Sequence, residues 1–426
     1  MLHPETIRAY EAILREELVC ATGCTEPIAI AYAAACLRAA LGQAPESIRA
    51  EVSGNIIKNV KSVVVPNNGG LKGIRAAVAA GVVAGREDLE LQVIAQVAEE
   101  LHGPIARYAE ETPIEILCAQ TPRLLDICLT GRAGEHTALV HIANQHSNII
   151  RIQRDGEVLL EKPAADSAED SLTDKSALNV ADILAYADTA DLAPVKALLD
   201  RQVACNLAIA QEGLKGGWGA SIGAVLLSDY PQDIKTEAKA WAAAGSDARM
   251  SGCELPVVIL SGSGNQGITA SVPVARYAQH LGVSREKLYR ALLVSDLVTV
   301  HQKSGIGRLS AYCGAVSAGV GAGAGIAYLL DGSYDAVAHT IVNAVAILSG
   351  TICDGAKPSC AAKIAASVDA GILGYHMWRN HQEFKGGDGI VTKGVDNTIA
   401  NVGLLAKEGM RQTDRTILEI MTNRCD

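Results

Sequence analysis

Aromatic side chains are scarce in this 426-residue chain: they make up 4% of it, and phenylalanine occurs once, at Phe384. Apolar residues still reach 49%, supplied by Ala, Val, Ile and Leu, with 41 glycines. Small side chains let helices approach closely, so this composition favours packed helices over a β-sandwich, with a core large enough for two or three domains. Basic runs are missing too. The net charge is -10 and Lys and Arg are spread thinly, which excludes a nucleic-acid partner. The amino terminus, MLHPETIRAYEAILREELVC, has acids inside an amphipathic helical pattern and is no signal peptide. The stretch nearest to an apolar span, Ala311 to Leu330, is dominated by Ala and Gly. Its weak hydrophobicity suits a buried central helix, so no membrane partner is expected. Zinc-type CxxC pairs, an HExxH motif and internal repeats are all lacking. Eleven cysteines in a chain read as cytoplasmic are expected to be reduced, which leaves burial, catalysis or metal ligation as their roles.

Four regions follow from the periodicity. Residues 1–47 read as two helices broken at Gly23-Cys24-Thr25-Glu26-Pro27, where Pro27 suits a helix first turn. Residues 48–165 mix strand-like segments (SIRAEVSG, SVVVP, ALVHIA, NIIRIQ) with the helical GIRAAVAAGVVAG and LQVIAQVAEELHG, and RDGE marks a hairpin. Residues 166–177 are polar and acidic and read as a linker. Residues 178–426 are helical, with Gly-rich breaks at KGGWGAS, SGSGNQG, KSGIG and GGDG. The fold class is α+β: a mainly α-helical domain, onto which the first helices pack, with a smaller α+β domain inserted. A homodimer is the expected assembly.

Three cysteines stand in glycine-rich motifs: Cys24 in ATGCTEP, Cys313 in LSAYCGAV and Cys353 in GTICDGAKPSC, which Cys360 closes. A helix amino terminus after Cys24 favours a thiolate, and Cys353 sits in a turn beside Lys357. Three thiolates from distant segments can hold an iron–sulfur cluster and leave one iron open. Zinc is the alternative, although its structural sites use close ligand pairs. Cys36, Cys118, Cys128 and Cys205, and with less force Cys20 and Cys253, read as core-filling thiols.

SGSGNQG carries G-x-G-x-x-G at Gly262, Gly264 and Gly267, but Pro273 and the absence of a βαβ series argue against a dinucleotide. Its amides, with Ser263, Asn265 and Gln266, suit a small carboxylate instead. In SDARM, Arg249 is either a carboxylate clamp or the partner of Asp247. GNIIKN groups Asn55, Lys58 and Asn59 beside strands, and GEHT offers His136 as a proton carrier.

These motifs, together with NLAIAQEGL, GWGASIGA and QTDRTILEIM, resemble the bacterial and archaeal L-cysteine desulfidase family, which is related to the α portion of iron–sulfur L-serine dehydratases. The likeness runs over nearly the whole length. It implies a [4Fe-4S] cluster held by Cys24, Cys313 and Cys353 in the helical, catalytic domain, with Cys360 and Cys425 as candidate extra ligands. Cys425 matches a terminal cysteine that can cap the open iron in the dehydratases. The resemblance also implies a small amino-acid substrate, bound by Asn55, Asn59, Arg249, Ser263, Asn265 and Gln266. The reaction it implies is β-elimination from L-cysteine to hydrogen sulfide, pyruvate and ammonia, with Lys58, His136 and Lys357 as candidate bases. L-Serine dehydration on the same scaffold is the alternative. A pyridoxal-phosphate lyase, which needs an α/β fold, and a non-catalytic cluster or amino-acid sensor complete the readings.

Overall fold

The computed structural model describes residues 2–163, 173–307 and 310–423. In its first part α1 (Pro4–Glu17), β1 (Cys20–Thr22) and α2 (Thr25–Leu41) precede β2 (Ser47–Val52), α3 (Gly54–Val60), α4 (Gly73–Ala84) and α5 (His102–Glu111). Then come β3 (Ile114–Cys118), β4 (Asp126–Ala133), β5 (His136–Ala143), β6 (Ile149–Arg154) and β7 (Glu157–Glu161). The second part is helical: α6 (Val180–Thr189), α7 (Lys196–Leu214), α8 (Ile222–Asp229), α9 (Ile234–Met250), the short β8 (Pro256–Val258), α10 (Gly264–Leu281) and α11 (Arg285–Ile306). It ends with α12 (Gly314–Leu330), α13 (Tyr334–Ile347), α14 (Cys360–Arg379), α15 (Val395–Leu404) and α16 (Arg411–Asn423). The fold is α+β, as the sequence pattern indicates.

A six-stranded mixed sheet runs in the order β3-β2-β4-β5-β6-β7, parallel only between β2 and β3. Its alternating strands bury one face, where Ile127, Leu129, Val140 and Ile142 meet the apolar α2. The β6–β7 hairpin turns at Asp155 and Gly156, both with positive φ, as RDGE requires. Two local expectations fail. SVVVP forms no strand and makes only an isolated bridge from Val64 to Lys72. LQVIAQVAEELHG is not one helix: a 3-10 turn over Glu87–Gln92 contains Glu90 at φ 45°, and regular helix starts at His102. Residues 173–177 of the expected linker are anchored, because Lys175 Nζ lies 2.8 Å from Glu16 Oε1 and 3.2 Å from Glu17 Oε1.

At the centre of the helical part stands α12, buried along nearly its whole length. Its glycines each cost up to about 1 kcal/mol relative to Ala in helix propensity, and close packing offsets that cost. A Cβ on Gly323 would lie 2.6 Å from the Cα of Gly371 in α14, and one on Gly371 would lie 2.3 Å from Gly319 O. The two helices therefore touch backbone to backbone. No helix among the described residues is long and apolar enough to cross a membrane. Pro273 lies inside α10 without ending it.

A second, two-stranded sheet pairs β1 with β8, with Cys20 opposite Val258 and Thr22 opposite Pro256. β1 runs straight into Gly23-Cys24 and α2, and β8 into Ser261–Ser263 and α10. This small ribbon brings two of the sequence motifs to one place.

Candidate active site

Cys313 and Cys353 are set side by side by backbone rather than by side-chain packing. Tyr312 and Ile352 form an isolated antiparallel bridge. Cys353 N donates to Ala311 O at 2.6 Å and Cys313 N donates to Thr351 O at 3.0 Å. Alternate residues of paired strands face the same way, so both thiols emerge from one face of the bridge. The Cys313 thiol donates to Cys353. That bond and burial push the Cys313 thiol up, while Cys353, which receives the bond and feels the Lys58 ammonium, is held below the ordinary thiol value.

Cys24 and Cys313 occupy the N-cap positions of α2 and α12, and neither side chain caps its helix. Cys360 opens α14, its Sγ 3.7 Å from Gly355 O. All four thiols line one cavity of about 100 Å³, as do Asn55, Lys58, Asn59, Arg249, Ser263, Asn265 and Gln266. The amino-terminal ends of α2, α10, α12 and α14 thus converge on it. Their unpaired N–H groups and dipoles favour negative charge inside. Burial acts against ionisation: it pushes the Cys24 thiol well up, with the Glu26 carboxylate adding to the effect, and it raises Cys360.

The polar wall is tightly wired. Glu26 Oε2 lies 3.2 Å from Cys24 Sγ and Oε1 accepts from Asn59 Nδ2 at 3.0 Å. Arg249 Nε donates to Gly23 O at 3.0 Å and Nη1 to Asn265 Oδ1 at 3.1 Å. Gly264 lets that guanidinium in, since a Cβ there would sit 2.3 Å from Arg249 Nε. Lys58, with its side chain 1% exposed, pairs with Asp414 of α16: Nζ to Oδ1 is 2.6 Å, and Asn55 Nδ2 reaches Oδ2 at 3.4 Å. Gln266 Oε1 is buried with no hydrogen-bond partner. Gly355 completes the wall at φ +94°, its Cα side pressed against Lys58 O, where a Cβ would stand 2.4 Å away.

A larger cavity of about 660 Å³ adjoins this one and shares Glu26, Ser263, Lys303 and Ser310 with it. It provides room for a small molecule to approach the thiols.

A family model described as serine dehydratase alpha chain matches residues 90–419. A UPF0597 protein of Desulfitobacterium hafniense (strain Y51) is 57% identical over 418 residues, 98% of this chain and 97% of the relative. The chain belongs to the serine dehydratase alpha chain family. UPF0597 proteins of Lachnoclostridium phytofermentans and Treponema denticola are 48% and 46% identical, covering 96% and 97% of this chain and 98% and 97% of their own lengths.

Within this family member, the structure separates the three residues offered as bases. Only Lys58 reaches the cavity. His136 begins β5 on the hairpin edge of the sheet, half-exposed, with Nδ1 2.8 Å from Asp155 Oδ2. Lys357 is turned to Asp354, which it contacts through both carboxylate and carbonyl. Cys425 lies outside the described residues. Asp247 does not pair with Arg249; it accepts from the Gly223 amide at the start of α8 at 3.3 Å. Four other thiols also differ from expectation: Cys118 is exposed at the end of β3, and Cys20, Cys128 and Cys205 are only half-buried. Sequence reasoning missed Glu26, Lys303, Ser310 and Asp414. All four stood inside quoted motifs, Glu26 in ATGCTEP, Lys303 in KSGIG, Ser310 in LSAYCGAV and Asp414 in QTDRTILEIM, but none was singled out.

Proposed function

We propose that the protein is an L-cysteine desulfidase that eliminates the thiol of L-cysteine and releases hydrogen sulfide, pyruvate and ammonia, with a [4Fe-4S] cluster held by Cys24, Cys313 and Cys353. The observation that carries this reading is the convergence of those three thiols on one cavity at helix amino termini. Thiols spread around a cavity leave room for a polynuclear group, and the positive helix ends suit its thiolate-rich, anionic character. When bound, the cluster supplies a thiophilic Lewis-acidic iron for the leaving sulfur.

The chain's own groups divide the remaining work. Arg249 and the first amides of α10, with Asn265 and Ser263, are disposed to hold the substrate carboxylate. Glu26 carries the negative charge that a substrate ammonium needs, and once Cys24 gives up its proton Glu26 Oε2 loses that donor and is free to accept another. Lys58 is the proton carrier favoured here, because it lines the cavity and Asp414 fixes its ammonium group. Burial of the cavity excludes bulk water from the α-carbanion character that develops at the substrate.

The family model favours a second reading, dehydration of L-serine at the same site. Anaerobic purification with iron and sulfide analysis, followed by pyruvate formation from L-cysteine and from L-serine, separates them. A higher kcat/KM for L-serine refutes the desulfidase assignment. Replacing Cys24, Cys313 or Cys353 with Ala is expected to remove iron, visible absorbance and activity together. Full activity in an iron-free Cys353→Ala protein would overturn the cluster itself.

A further inference from the structure

Outside both cavities, β1 and α7 bring a second pair of thiols into contact. Cys20 lies opposite Val258 in the β1–β8 ribbon. Asn206 of α7 holds that same Val258 by both backbone groups: Val258 N donates to Asn206 Oδ1 at 2.8 Å, and Asn206 Nδ2 donates to Val258 O at 3.2 Å. Cys205, the residue before Asn206, is thereby fixed beside Cys20, and the two thiols are hydrogen-bonded to each other. Both are half-buried, so a small reagent can reach them. Arg201, one helical turn before Cys205, presents positive charge to the pair.

We propose that Cys20 and Cys205 form a reactive dithiol that takes up small-molecule disulfides and closes into a protein disulfide. Cys205 is the attacking thiol. It receives the Cys20 hydrogen bond and the Arg201 charge, and both lower its pKa, whereas Cys20, as donor, is raised. In the first step the Cys205 thiolate attacks one sulfur of RS–SR; that S–S bond breaks, RS⁻ leaves and a mixed disulfide forms. In the second, Cys20 gives up its proton and attacks the Cys205 sulfur, forming the Cys20–Cys205 bond and releasing the second RS⁻, which is protonated. Two protein thiols are oxidised, one small disulfide is reduced, and two RSH leave.

The test treats the full chain, purified anaerobically, with hydroxyethyl disulfide and maps the peptides without reduction. The expected product links the Cys20 and Cys205 peptides, lighter than the free pair by two hydrogens. A Cys20→Ser protein is expected to accumulate the mixed disulfide at Cys205. A Cys205→Ser protein is expected to leave Cys20 unmodified over the same time, and Arg201→Gln to slow the wild-type reaction roughly fivefold. The proposal fails if the wild-type protein keeps both thiols free while other cysteines react. It fails equally if Cys20 is modified as fast without Cys205 as with it.

Discussion

Replacing Asp296 with Asn exposes a pH-dependent weakness in the helical core. Asp296 is fully buried in α11, where Gln202 Nε2 donates to its Oδ1 at 2.9 Å. Asp296 Oδ2 and Gln202 Oε1 both lack partners. A proton on Asp296 supplies the missing donor and turns the contact into a reciprocal acid–amide pair. Burial accordingly pushes the carboxyl from 3.8 up to about 7, opposed only by the Gln202 bond. A folded-state value above the unfolded one gives stability that is complete below about pH 4. It declines as the unfolded carboxyl ionises and is lost once pH passes about 7. The whole loss is about 4 kcal/mol, of which about 3 kcal/mol falls between pH 5 and pH 8. Asn reproduces the protonated pair and does not titrate. Asp296→Asn should therefore exceed the wild type by about 2 °C in Tm at pH 5 and by about 5 °C at pH 8, allowing about 1 °C per kcal/mol for a chain of this size. Thermal unfolding of both proteins across pH 5–8 checks this. A Tm difference that stays constant with pH refutes the argument.

Asp414→Ala should lower kcat at least tenfold with iron content unchanged, because Lys58 loses its charge partner and its fixed position; steady-state kinetics beside iron analysis reads this, and Asp414→Glu should recover part of the rate. His136→Ala should leave kcat within twofold, since its imidazole serves an exposed hairpin contact. Gly371→Ala should cost about 2–3 kcal/mol by forcing α14 away from α12, measured as a lower denaturant midpoint with an unchanged slope.

Much of the architecture was legible because it rests on local signals. Alternation located β2, β5 and β6, RDGE located a hairpin, and Ala/Gly composition marked α12 as a buried helix. SVVVP misled because a run of β-branched residues is equally content in a packed turn: Val63 and Val65 are buried without belonging to a ladder. The cysteine motifs were legible as a set because each carries its own turn or helix start. His136 and Lys357 could not be excluded from sequence, since the deciding facts are their distant or turned-away positions, and Asp155, which engages His136, is specified by a different hairpin arm. Asp414 and Lys303 were invisible for the opposite reason. Each stood inside a quoted motif, KSGIG or QTDRTILEIM, but its arrival at the cavity is decided by tertiary packing.

The glycine contact between α12 and α14 has a mechanical meaning. Both helices start at the thiol cavity and run away from it, and at their crossing Gly319, Gly323 and Gly371 leave backbone against backbone. Sliding or rotation of one helix against the other meets that backbone directly, so the spacing of the two helix starts that carry Cys313 and Cys360 is set by the crossing.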